Sequence, residues 1–105
     1  MKKRLTTAGN TWQLYLNKPL IQLLGLNKDE YRIVLIIDNK KLIVRKALQS
    51  DNENSLFVKK LIKRSSSFGL NFPLVILELL EIDPEKDFLD IELDNNRLII
   101  KKFNN

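Results

Sequence analysis

The nine residues Asp38-Asn39-Lys40-Lys41-Leu42-Ile43-Val44-Arg45-Lys46 return as Asp94-Asn95-Asn96-Arg97-Leu98-Ile99-Ile100-Lys101-Lys102, with five positions identical and three exchanged conservatively. The same 56-residue offset runs backward through Ile33/Leu89, Leu35/Ile91 and Ile37/Leu93, and through Leu26-Asn27 against Ile82-Asp83. Further upstream the offset falls to 54, aligning Leu16-Asn17-Lys18-Pro19-Leu20-Ile21 with Leu70-Asn71-Phe72-Pro73-Leu74-Val75 and placing two extra residues in the second copy's helix. A register held this long makes the chain two diverged copies of one unit, residues 1–46 and 57–105. Between them lies a polar linker, residues 47–56, in which Gln49 to Asn54 read as a flexible connection. A unit of about 45 residues buries too little surface to be stable alone, so the two copies are expected to share one core.

Local signals give the order of elements in a copy. Lys3 to Thr7 and Gln13 to Asn17 read as short strands around a Gly9-Asn10 turn. Pro19 suits the first turn of a helix, and Gly25 suits its C-terminal cap; the second copy's helix, Pro73 to Glu81, lacks that glycine. A hairpin follows in each copy, turning at Asp38-Asn39-Lys40 and at Asp94-Asn95-Asn96. In the second copy Leu89, Ile91 and Leu93 alternate with Asp90, Glu92 and Asp94, which gives one apolar and one acidic, solvated face. The equivalent outward positions of the first copy include Val34 and Ile36. These two either pair with another chain as a homo-oligomer or are covered by the linker or a helix.

Composition removes whole classes of function. The chain has 105 residues, 44% of them hydrophobic, with no Cys and no His. Disulfides, thiolate nucleophiles, imidazole bases and the common zinc arrangements are therefore absent, and no motif with a catalytic mechanism takes their place. The expectation is a protein that is not an enzyme and has no metal or cofactor. Asp87, Asp90, Glu92 and Asp94 project along one strand face, which is poor geometry for wrapping a cation. With no apolar run of the roughly 20 residues needed to span a bilayer, and no signal-peptide core after Lys2-Lys3-Arg4, the expected setting is the cytoplasm, away from membranes.

The net charge of +5 is unevenly spread: residues 1–46 carry ten Lys/Arg against three acids (10 − 3 = +7), and residues 47–105 carry eight against ten (8 − 10 = −2). One half is thereby suited to a polyanion.

The run Thr7-Ala8-Gly9-Asn10-Thr11-Trp12-Gln13-Leu14-Tyr15-Leu16-Asn17-Lys18-Pro19, then Leu23-Leu24-Gly25-Leu26, then a strand and Asp38-Asn39-Lys40-Lys41-Leu42-Ile43-Val44, resembles the AbrB/MazE/SpoVT pattern. The likeness covers nearly all of residues 3–46, and Ser65 to Asn71 stands where the same strand would fall in the second copy. Asn17 and Asn71 depart from the pattern, which has proline at the strand end. The resemblance implies a mainly β fold with short helices, in which two units interleave their hairpins into one small barrel. Here the barrel would be a pseudo-dimer formed within one chain. It also implies duplex DNA as partner, either for a transcriptional regulator or for an antitoxin, whose further partner would be a toxin protein. Antitoxins of this kind carry a tail beyond the barrel, and the sequence stops at Asn105, which favours the regulator. Tyr15 stands where many members have a DNA-facing arginine, so that contact does not transfer.

A DNA surface needs several cations on one face. The candidates are Lys2, Lys3, Arg4 and Lys18, with Lys59, Lys60, Lys63 and Arg64 as second-copy counterparts, and a pseudo-twofold is expected to bring both clusters to one side. The alternative is that these are solvated strand ends. Asn10, Thr11 and Trp12 sit in the first loop, where side chains can reach phosphates or base edges. Trp12 either stacks there or caps the core.

Overall fold

The computed structural model describes residues 1–26, 31–51, 57–63 and 66–104. In chain order the first half contains β1 (Lys2–Lys3), β2 (Thr6–Ala8), β3 (Thr11–Asn17), α1 (Lys18–Leu23), β4 (Arg32–Asp38) and β5 (Lys41–Lys46). The second half contains β6 (Val58–Lys60), β7 (Ile62–Lys63), β8 (Ser67–Phe72), α2 (Leu74–Leu79), β9 (Leu89–Asp94) and β10 (Arg97–Lys102). The strands form two antiparallel sheets, one six-stranded in the order β1-β9-β10-β5-β4-β6 and one four-stranded in the order β2-β3-β8-β7. The molecule is thus mainly β, as the sequence pattern predicts.

The pairing runs between the two halves. β5 meets β10 with Ile43 opposite Ile99, Val44 opposite Leu98 and Leu42 opposite Ile100. Ile43 and Ile99 are equivalent at the 56-residue offset, so each strand presents the same positions to its own counterpart. β3 and β8 repeat this about Tyr15 and Gly69, which are equivalent at the 54-residue offset. Two more strands cross over, β1 to β9 and β6 to β4, whereas β2 pairs with β3 and β7 with β8 inside their own halves. The two hairpins, β4–β5 and β9–β10, are the pairings internal to a half within the large sheet.

The apolar positions of these strands alternate into one core. Leu14, Leu16, Leu42, Leu70, Leu89, Leu98 and Ile100 are almost fully buried there. At about 25 cal/mol per Å² of apolar surface, such side chains each contribute roughly 1.5–3 kcal/mol, and they are drawn from both halves. The chain passes from one sheet to the other at two corners. Leu5 lies between β1 and β2, and Leu61 between β6 and β7; both are 3% exposed, and they are equivalent at the 56-residue offset. Strands that switch sheets at a bend make such corners, and here a buried leucine fills each.

Each helix is six residues long. The Asn17 side chain accepts the Leu20 N–H at 3.1 Å, capping α1. α2 starts after Pro73, which has no side-chain cap. The caps, like the buried pairs Leu20/Ile76, Ile21/Leu77 and Leu24/Leu80, are 56 residues apart. The two extra residues expected in the second helix therefore precede it, extending the chain through Phe72. Leu74 and Val75, which the sequence alignment sets against buried Leu20 and Ile21, are instead 68% and 57% exposed.

Both helices end in the same way. The Leu26 N–H donates to Ile21 O and the Gly25 N–H to Gln22 O, while the Ile82 N–H donates to Leu77 O and the Glu81 N–H to Glu78 O. This cap needs a left-handed residue, and Gly25 (φ +78) supplies it without a side-chain penalty. Glu81 (φ +58) holds the same place. Glu81→Gly is accordingly expected to raise stability by about 1 kcal/mol, read from urea unfolding.

The start of the linker is not loose. Ala47 is buried, and Asp51 accepts from both terminal nitrogens of Arg45, at 3.1 and 3.2 Å, and from the Leu48 N–H at 2.6 Å. The rest of the expected linker, residues 52–56, lies outside the described residues. The Arg45 hydrogen bond, followed by that from Leu48, holds the Asp51 carboxyl below its ordinary range. Its stabilising contribution is present above the ordinary carboxylate pKa and is lost as pH falls through the lowered value. Thermal melts of Asp51→Asn and the parent chain should differ at pH 7 and converge on acidification well below about pH 3.9.

Candidate nucleic-acid interface

Of the two expected cationic clusters, Lys2 to Arg4 and Lys59 to Lys60 lie at different edges of one sheet. β1 and β6 are the opposite edges of the six-stranded sheet, separated by four strands. Five inter-strand steps at about 4.8 Å put them roughly 24 Å apart along the sheet. The reason lies in the pairing: each N-terminal strand adds to the outer side of the other half's hairpin, so a twofold carries the two strands to opposite edges.

At the first edge the cations already have contacts. The Lys2 ammonium lies 4.3 Å from the Phe88 ring centroid and 4.8 Å from that of Phe103. Arg4 lies over Phe88 at 5.5 Å and donates through Nη2 to the Glu85 carbonyl. Lys3 is half-buried opposite Leu89. The terminal amine of Met1 donates to Ile91 O at 2.9 Å and meets Asp90 at 3.3 Å. This edge is therefore fastened to the acidic strand β9. At the other edge Lys59 is half-buried opposite Ile33, and exposed Lys60 stands opposite Arg32.

Two other candidates do come together. Lys63 stands opposite Phe68, which is itself opposite Leu16; Asn17 and Ser67 form the next rung, and Lys18 follows Asn17. Both lysines are exposed and sit at the same end of the four-stranded sheet. Arg64, the next residue in sequence after Lys63, lies outside the described residues.

Asn10, Thr11 and Trp12 occupy the opposite end of the same sheet. Gly9 has φ +63, as the turn requires, and the Thr11 hydroxyl donates to Ala8 O at 2.8 Å. Asn10 is exposed. Trp12 is half-buried against the core, opposite Thr7 and Phe72, so its indole serves packing while leaving part of its surface open.

Between the two ends, the side of the β3–β8 ladder away from Leu14 and Leu16 is polar and carries no charge. Gln13 is the buried polar residue there, 1% exposed, and its Nε2 donates to Asn71 Oδ1 at 2.6 Å. A Cβ at Gly69 would come 2.8 Å from the Gln13 Oε1, so the glycine makes room for that amide. Tyr15 and Ser67 are half-exposed and line a shallow depression of about 440 Å³ with Thr7, Ala8 and Gly9.

The acidic face of β9 is largely neutralised. Asp90 faces the chain terminus, Asp94 meets Arg97 at 3.3 Å, and Asp87 accepts from the Asp83 N–H at 2.7 Å while Lys102 lies 3.6 Å away. Val34, one of the two residues expected at an interface with another chain, is 8% exposed and stands opposite Val58; Ile36 is 36% exposed. No helix among the described residues is long and apolar enough to cross a membrane.

In comparisons with protein-family models, with curated proteins and with solved structures, the chain matches no family, no curated protein and no solved structure.

Proposed function

We propose that this chain is a non-enzymatic DNA-binding protein, a transcriptional regulator of the AbrB type, whose two repeats interleave their hairpins into one barrel. The pairing of every N-terminal strand with the other half's hairpin supports the interleaved arrangement. The observation that carries DNA binding is that exposed Lys18 and Lys63 share one end of the four-stranded sheet, whose β3–β8 face away from Leu14 and Leu16 is polar and uncharged.

From Trp12 to Asn17 the ladder is about 17 Å long at roughly 3.4 Å per residue, enough to cross a major groove about 12 Å wide. In this pose Lys18 and Lys63 bind phosphates at one wall of the groove. Asn10 and Thr11 approach the other wall, and Asn17, Tyr15 and Asn71 face the bases. Gln13 is too deeply buried to touch a base and holds Asn71 in place. Lys59 and Lys60 add long-range attraction, whereas Lys2 and Arg4 are already engaged with aromatic rings.

A second reading, an antitoxin or other protein-interaction module, is favoured by the outer face of α2. Leu74, Val75 and Leu79 are 68%, 57% and 48% exposed there, where the equivalent positions of α1 are Lys18, Pro19 and Leu23.

Binding to random duplex DNA across a salt series tests the first reading. The expected result is binding at low salt that weakens steeply as salt rises. Lys18→Glu with Lys63→Glu should weaken it at least about tenfold and lower the log–log salt slope by about 2. Absence of binding at low salt, or a slope and affinity untouched by both changes, would contradict it.

A further inference from the structure

At the far end of the first hairpin, four lysines converge on one depression of about 370 Å³. Lys40 and Lys41 come from the β4–β5 turn and the start of β5, and Lys101 and Lys102 from the end of β10; Glu81, at the C-terminal end of α2, lines it as well. Counting these lining residues alone, four lysines stand against one glutamate (4 − 1 = +3). Lys40 is held by Glu81 at 3.2 Å, and Lys102 has Asp87 at 3.6 Å. Lys41 and Lys101 form no ion pair among the described residues, and the cross-strand neighbour of Lys101, Asp90, is engaged by the terminal amine.

The other half carries different residues at the equivalent positions. At the 56-residue offset Lys40, Lys41, Lys101 and Lys102 correspond to Asn96, Arg97, Arg45 and Lys46, and Glu81 corresponds to Gly25. There Arg97 is paired with Asp94, and Arg45 with Asp51. The two left-handed positions are filled by Asn96 and Gly25, residue types that accept that conformation readily. In the first hairpin's pocket the same conformations fall on Lys40 (φ +63) and Glu81 (φ +58), whose side chains then meet. Backbone strain of this kind persists where the side chains it presents are put to use.

We propose that this depression binds a phosphate-bearing anion, with Lys41 and Lys101 as the direct ligands and the Glu81-tethered Lys40 at its rim. Phosphate oxygens suit it because ammonium groups bind them as point charges from several directions. The phosphates come either from a nucleic-acid backbone or from a free phosphorylated molecule. Neither Lys18 nor Lys63 lines the site, so it does not depend on the proposed duplex surface.

The test is a ¹⁵N-resolved titration of the full chain with inorganic pyrophosphate at moderate salt. Saturable shifts are expected at Asn39 to Lys41 and at Lys101 to Asn104, with the equivalent residues Arg45, Lys46, Asn96 and Arg97 left in place. Lys41→Gln with Lys101→Gln should weaken pyrophosphate about tenfold, while Lys18→Glu with Lys63→Glu should not. Displacement of pyrophosphate by a short duplex would identify the nucleic-acid backbone as the source; retention would identify a free phosphorylated molecule. Shifts that do not saturate, that move both halves equally, or that survive Lys41→Gln with Lys101→Gln would overturn the proposal.

Discussion

Strand pairing between the two halves is the interaction on which the rest depends. The β5–β10 ladder joins two hairpins that would otherwise each end in an open edge, and the β3–β8 ladder does the same for the smaller sheet. An isolated hairpin is marginal in water, and three or more strands with a shared apolar face are needed for independent stability. Because Ile43 meets Ile99 and Tyr15 meets Gly69, the two ladders share one approximate twofold register. That register carries buried Leu5 onto buried Leu61 and the Leu26 cap onto Ile82.

Where the halves differ, the differences are local. Gly69 replaces the counterpart of Tyr15, which leaves space for Gln13 and lets its amide bond Asn71. The second helix presents Leu74 and Val75 where the first presents Lys18 and Pro19. Lys40 and Glu81 occupy left-handed positions that Asn96 and Gly25 fill with less strain. A chain free to diverge in each copy can keep a twofold scaffold while making its two ends chemically unlike, which a homodimer of a single unit cannot do.

Much of the scaffold was legible in the sequence because hairpins, turns and caps are local. Asp38-Asn39-Lys40, Gly9-Asn10, Pro19 and Gly25 all specify geometry within a few residues, and the repeat brought the second copy with them. The start of the second helix was legible at Pro73, but its register against the first was not: Pro73 aligns with Pro19 in sequence, whereas burial of Ile76 and Leu77, a tertiary effect, makes it the counterpart of Asn17. The site was harder still. Which lysines meet depends on strand order, and the order sends β1 and β6 to opposite edges while bringing Lys18 beside Lys63. Lys40 against Asn96 is the one non-conservative exchange in the nine-residue repeat, and it was the sequence signal for the lysine-lined depression.

The central claim, that the fold is built by pairing each half with its own counterpart in the same chain, can be tested through the chain's lack of cysteine. Ile43→Cys with Ile99→Cys places two thiols on directly opposed residues of neighbouring antiparallel strands, within the Cα separation that a disulfide spans. Mild oxidation of the folded chain at low concentration, read by non-reducing mass analysis, should give an intramolecular crosslink in the monomer. A chain that stays reduced, or that crosslinks solely to a second chain, would contradict the account.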